Sequence, residues 1–187
     1  MNNTDDYSDS QINEDSNAFC YRGSKDISSF EIPNNFKEIG EFSFAKCSSL
    51  VNIAIPDSIT KIGVASFLGC TSLTRITISK NVKNIHKNTF YQCSSLADIR
   101  IPDSVTKIGA GAFWHCTSLV NIIIPKNVSE IGKYAFQGCS SLKNVTITNG
   151  VKKIGDYAFS NCSSLANIEI PDSITEIGND AFCQCSS

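Results

Sequence analysis

The feature that most constrains this chain is a period of 23 residues that runs without one insertion or deletion. Taking Leu96–Ser118 as the unit, position 1 is filled by Ile27, Leu50, Leu73, Leu96, Leu119, Leu142 and Leu165. Position 6 is Ile in all seven copies and position 13 is Ile in all seven, from Ile39 to Ile177. Position 18 is always Phe, from Phe44 to Phe182, and position 21 always Cys, from Cys47 to Cys185. A strict period of this length marks a solenoid, in which each unit is one coil that hides its apolar side only by stacking on its neighbours. The invariant columns are therefore core ladders, and the variable positions are where function is sought.

With 187 residues, 41 % hydrophobic and 18 % charged, the chain has ample material for one elongated domain over residues 27–187. Residues 1–19 differ: they carry Asp5, Asp6, Asp9, Glu14 and Asp15 and no Lys or Arg. That composition reads as a disordered acidic tail. Removing those five acids from the 18 of the chain leaves 13 against 16 basic residues, so the repeat body is mildly basic. A net charge of -2 argues against nucleic acid as a partner. No apolar segment of about 20 residues offers itself for membrane insertion, and no signal-peptide pattern follows the first Met. Ala18-Phe19-Cys20 echoes positions 17 and 18 of the unit, and residues 20–26 read as a degenerate N-terminal cap.

Within a unit, Leu-x-x-Ile-x-Ile at positions 1 to 6 reads as a short strand with its β-branched residues turned inward. All five prolines, Pro33, Pro56, Pro102, Pro125 and Pro171, stand at position 7 and stop it, because Pro has no N–H to give a ladder. Turn pairs such as Asp57-Ser58 follow, then a second extended piece such as Val105–Ile108 that closes on Gly40, Gly63, Gly109, Gly132, Gly155 or Gly178. These glycines are read as a backbone corner. The Ala-Phe segment after them is read as one helical or 3₁₀ turn.

These residues resemble the BspA-like leucine-rich repeats, whose units look like Leu-x-x-Ile-x-Ile-Pro-x-x-Val-x-x-Ile-Gly-x-x-Ala-Phe-x-x-Cys-x-x. The match runs from Ile27 to the C-terminus; Ser79 and Thr148 replace Pro, His86 replaces Gly, and Ser43, Ser66 and Thr89 replace Ala. The resemblance implies an α/β-type, β-rich, right-handed curved solenoid of seven repeats with a parallel sheet on its concave face. It also implies a surface-antigen or adhesin-like protein of anaerobic bacteria or parasitic protists, binding host matrix or cell-surface proteins.

If positions 1, 4 and 6 point inward, positions 2, 3 and 5 face outward on the concave sheet. The middle of that face then holds Arg75, Asp98, Arg100, Val120, Asn121 and Ile123. Arginine beside apolar residues within a polar rim is the composition of a protein-binding centre, though a mixed strand face needs no function. A second row at position 19, Leu68, Tyr91 and Trp114, would form an apolar strip if exposed, and would be core if packed between coils.

The nine cysteines point to neither disulfides nor metal. Seven form a column beside the Phe ladder, where a reduced Cys behaves as a small hydrophobe, and no CxxC supplies converging ligands. Cys20, Cys183 and Cys185, near the ends, are the more reactive candidates. His86 and His115 belong to no nucleophile or metal motif, so no enzymatic activity and no cofactor are expected. Sequons at Asn2, Asn127, Asn144 and Asn161 are at chance level in so Asn- and Ser-rich a chain. The last unit carries no polar cap, so a homodimer through the C-terminal coil is one expectation and a longer repeat array the other. The expectation is a non-catalytic protein-binding module at the cell surface; its rival is a cytoplasmic scaffold, favoured by the free thiols.

Overall fold

A computed structural model describes residues 18–19 and 27–185. Most of the acidic leader, the cap placed at 20–26, Asn2 and Cys20 lie outside the described residues. Each 23-residue unit is one coil of a parallel β-solenoid. The first strand of a coil uses positions 3 to 5, as in Ser29–Glu31, Asn52–Ala54 and Arg75–Thr77, and extends to position 6 in Asn121–Ile124 and Asn144–Ile147. Neighbouring strands pair in register at steps of 23 residues, for example Ile53 with Ile76 and Ile122 with Val145. Burial alternates along them: Ile122 and Ile124 are enclosed while Asn121 and Ile123 face out, as the pleat requires.

A second line of strands, two residues each at positions 12 and 13, runs from Glu38–Ile39 to Glu176–Ile177. Ala18–Phe19 joins it, pairing in parallel with Glu38–Ile39. Phe19 thus stands in the column of Ile39 and Ile62, not in the Ala-Phe column it echoes in sequence.

Both lines are interrupted, at different places. On the concave face the strands of coils one to three form one sheet and those of coils five and six another. Among the described residues, Asp98 to Ile101 of coil four make no backbone hydrogen bond to either neighbour. In the second line the break falls between Lys61–Ile62 and Asn84–Ile85, and the cause is the glycine column. None of the glycines at position 14 has a positive φ, so a left-handed backbone is not what selects Gly at this corner. They mark a close approach instead. A Cβ on Gly63 would stand 2.6 Å from Glu41 N, on Gly132 2.7 Å from Ala110 N, and on Gly155 2.6 Å from Lys133 N. His86 is the one residue of the column that carries a Cβ, and the sheet parts between its coil and the one before.

No helix forms among the described residues, so the expected helical turn at positions 15 to 20 is replaced by an arch. Positions 16 and 20 adopt left-handed backbone in every coil, with φ from 51° at Ala65 to 69° at Gly69. Most of these residues are not glycine, at a cost of roughly 1–2 kcal/mol each. The return is a set of coil-to-coil bonds. The N–H groups of positions 16, 18 and 20 donate to carbonyls of positions 15, 17 and 19 in the following coil, as in Phe42 to Val64, Phe44 to Ser66 and Lys46 to Leu68. This pattern holds at all six junctions without a gap, so the arch is the continuous spine of the stack.

The core lies beneath the arch. The Phe column stacks face to face, with ring centroids 5.1–5.6 Å apart from Phe44 to Phe182. Beside it each cysteine of the column from Cys70 to Cys185 donates its S–H to the Phe carbonyl 26 residues earlier: Cys70 to Phe44 at 3.0 Å, Cys116 to Phe90 at 3.1 Å, Cys162 to Phe136 at 3.2 Å. The same Phe carbonyl accepts the N–H of the Cys in its own coil, as Cys47 to Phe44. A thiol thus fits where an alanine methyl would leave a carbonyl half satisfied. In the seventh coil the ladder residues Ile170 and Ile177 are 40 % and 50 % exposed.

Candidate functional site

The concave face is built by the outward positions of the first strands. Arg75, Asp98, Arg100 and Asn121 are all exposed, Val120 is half buried, and Ile123 is 63 % exposed, the most of any large apolar side chain described. Ile123 is held out by its neighbours: Ile122 and Ile124 anchor its strand in the core, so the residue between them has only solvent to face. Asp98, Arg100, Asn121 and Ile123 line one open concavity of about 660 Å³. Arg75 and Val120 lie outside that lining. Sequence reasoning missed Asp103, Pro125, Lys126 and Thr148, which line it as well. Their signal was available, since all four stand at the strand-ending positions 7 and 8 of coils four to six. A second concavity of similar size spans Asn144–Ile147 and Asn167–Glu169, where Asn144 Nδ2 donates to Asn121 Oδ1 at 2.6 Å.

The electrostatics of the two faces contrast. On the flanks, lysines are paired coil to coil: Lys61 with Glu38 at 3.1 Å, Lys107 with Glu130 at 2.7 Å, Lys153 with Glu176 at 2.6 Å, Lys80 with Asp57 at 2.9 Å. On the concave face the side chains of Arg75, Arg100 and Asp98 have no ion-pair or hydrogen-bond partner among the described residues. The fold pairs these four lysines with the carboxylates of a neighbouring coil and leaves the arginines of its inner face open.

The position-19 row is neither a free strip nor core. Leu68, Tyr91 and Trp114 are half buried, with Tyr91 edge-on to Trp114 at 5.1 Å and Trp114 stacked on Tyr134 at 5.3 Å. Lys133 Nζ sits 4.9 Å from the Tyr134 ring centre and 3.4 Å from Asp156. Its bonds to Tyr134 and Asp156 raise its pKa. Burial lowers the pKa of His115, while that of His86 is lowered by burial and by Lys61, against Glu41. The two imidazoles have no shared partner and form no acid–base pair. Burial pushes the thiols of Cys70 and Cys162 up to about 12 and those of Cys93, Cys116 and Cys139 well above the ordinary value. They are packing groups, not nucleophiles. Among the described residues, no three His, Cys, Asp or Glu side chains converge as metal ligands, and no helix is long and apolar enough to cross a membrane.

Comparison with known proteins places this architecture. A BspA-type leucine-rich repeat region matches residues 14–143 and 106–187, in six copies. The chain belongs to the BspA-type leucine-rich repeat family. Among solved structures, a leucine-rich repeat protein of T. pallidum is 34 % identical with a TM-score of 0.77, over 81 % of this chain and 73 % of that one. A leucine-rich cell-surface protein of Faecalibacterium prausnitzii is 37 % identical with a TM-score of 0.79, over 85 % of this chain and 45 % of that one. A leucine-rich repeat protein of Bacteroides ovatus is 30 % identical with a TM-score of 0.70, over 80 % and 47 %. This chain therefore spans less than half the length of the last two. No curated protein matches the sequence.

Proposed function

We propose that this chain is a non-catalytic protein-binding module with an adhesin-like or surface-antigen role, engaging a matrix or cell-surface protein through its concave face. The observation that carries the reading is the centre of that face: Ile123, 63 % exposed, beside a concavity and two arginines without partners. An apolar anchor ringed by arginine and amide groups is what binding hot spots are made of. Membership of a repeat family whose neighbours include a cell-surface protein supports a location outside the cell. The open geometry of this concavity suits a macromolecule better than a small substrate, which needs enclosure.

The test is retention of proteins from host matrix and from cytosol on immobilised wild type and on the double variant Arg100→Glu with Ile123→Asp. Both side chains are exposed, so the variant is expected to fold normally. A matrix or surface protein held by wild type and lost by the variant is the expected result. A cytosolic protein behaving that way would install the scaffold reading. Retention indifferent to the changes would move the site to the face of Tyr91 and Trp114.

A further inference from the structure

The concave centre also indicates what kind of segment it takes, an inference that rests on the protein-binding reading above. Arg75 stands at position 3 of coil three and Arg100 at position 5 of coil four. One coil spacing of about 4.8 Å and two residues of about 3.3 Å separate them, so their Cα atoms lie on the order of 8 Å apart on a diagonal. Continuing that diagonal by one coil and two residues reaches position 7 of coil five, which is Pro125, with Lys126 next and Ile123 just before. These three line the far side of the concavity. Two guanidinium forks and then a hollow lined by Ile123 and Pro125, with Asp103 and Lys126 also on its wall, thus fall on one line.

An extended polypeptide presents every second side chain on one face, at intervals of about 6.6 Å. Carboxylates at residues i and i+2 therefore meet Arg75 and Arg100, whose long side chains absorb the difference in spacing. An aliphatic side chain at i+4 then enters the hollow against Ile123 and Pro125. Charge supports this orientation. Over coils three to six, the exposed outward positions 2, 3 and 5 carry Arg75, Arg100 and Lys143 against the single carboxylate of Asp98. Arginine matches a carboxylate with two parallel N–H donors, and no acidic group of the described chain has taken that place. We propose that the concave centre binds an extended acidic segment of a partner protein, with carboxylates two residues apart followed by an aliphatic residue two positions on. The chain's own leader does not meet that rule, since its acids stand at 5, 6, 9, 14 and 15.

The probe is a fluorescein-labelled nine-residue peptide with glutamates at its third and fifth positions and leucine at its seventh. Its control has both glutamates changed to glutamine. Fluorescence anisotropy with the full chain is expected to show saturable binding of the first peptide at 50 mM salt. Binding should weaken at least tenfold with the control peptide, at least tenfold with the double variant Arg75→Gln and Arg100→Gln, and again with Ile123→Asp. Unchanged thermal melting of the variants establishes that they are folded. Equal affinity for the two peptides, or no saturable binding of either, overturns the proposal. Binding that emerges only after removal of residues 1–17 also overturns it, by making the leader the occupant. The two readings fail separately: a retained protein lost with Ile123→Asp but indifferent to the arginine changes keeps the concave-face reading and sinks the acidic segment.

Discussion

His86→Gly is expected to make this protein more stable, although it removes a side chain and adds a flexible residue. The second line of strands is bonded at coil junctions by position-11 and position-14 amides, as Thr106 to Lys83 at 2.8 Å and Gly109 to Ile85 at 2.7 Å. The matching bonds from Lys83 to Thr60 and from His86 to Ile62 are missing. The sheet parts there because a Cβ at this column collides with the preceding backbone, as it would at 2.6–2.7 Å in Gly63, Gly109 and Gly132. Removing it lets two bonds close at about 0.5–1.5 kcal/mol each, or about 1–3 kcal/mol. Against that stands about 0.5–1 kcal/mol for the freedom glycine has in the unfolded chain. The net gain is about 1 kcal/mol. Urea unfolding reads it as a higher midpoint at unchanged slope, and amide exchange reads it as new protection at Lys83 and His86. A lower midpoint, or amides that exchange as fast as in wild type, would refute the reasoning and leave the break to some other cause.

Two further outcomes follow from the core. The buried thiols stay neutral in the fold while the unfolded chain ionises them above its ordinary value near 9. Their contribution is therefore intact below about pH 9 and is lost as pH climbs towards 12, by about 1.4 kcal/mol per unit for each of Cys70 and Cys162; urea midpoints constant from pH 7 to 10.5 would contradict this. Phe113→Leu keeps an apolar side chain, though a smaller one, and removes stacking on Phe90 at 5.3 Å and Phe136 at 5.1 Å. A loss of about 1–3 kcal/mol is expected in the same assay, and a loss under about 0.5 kcal/mol would show that the rings pack without a specific stacking contribution.

The fold was legible because its determinants are periodic. Apolar columns at positions 1, 4, 6, 13, 18 and 21 declare which atoms must be hidden, and a strict spacing of 23 declares that each coil hides them against the next. What sequence could not show was backbone conformation at positions where residue type is misleading. Phe42, Tyr134 and Tyr157 do not advertise a left-handed backbone, and the glycines of position 14, read as a corner, have an ordinary φ. Gly there answers to a neighbouring coil's backbone, which is a distance across 23 residues and leaves no local trace. The concave residues were found because alternation assigns faces, whereas their grouping into a concavity depends on Asp98 to Ile101 of coil four lying unbonded between the first strands of its neighbours. Nothing in the sequence of Asp98 to Ile101 announces that gap.

The arch has an electrical consequence for the whole molecule. Its three peptide units per coil point the same way, amide hydrogens towards the C-terminal coil and carbonyls towards the N-terminal one. Each such unit carries about 3.5 D, whereas strand dipoles largely alternate and cancel. Stacked coil on coil, the arch is a rod polarised along the solenoid axis, as a helix is, but with its positive pole at the C-terminal end of the chain. Negative charge is therefore favoured near Asp180 and Gln184 and positive charge near Phe42 and Lys46. The protein has a polar axis that none of its charged side chains creates.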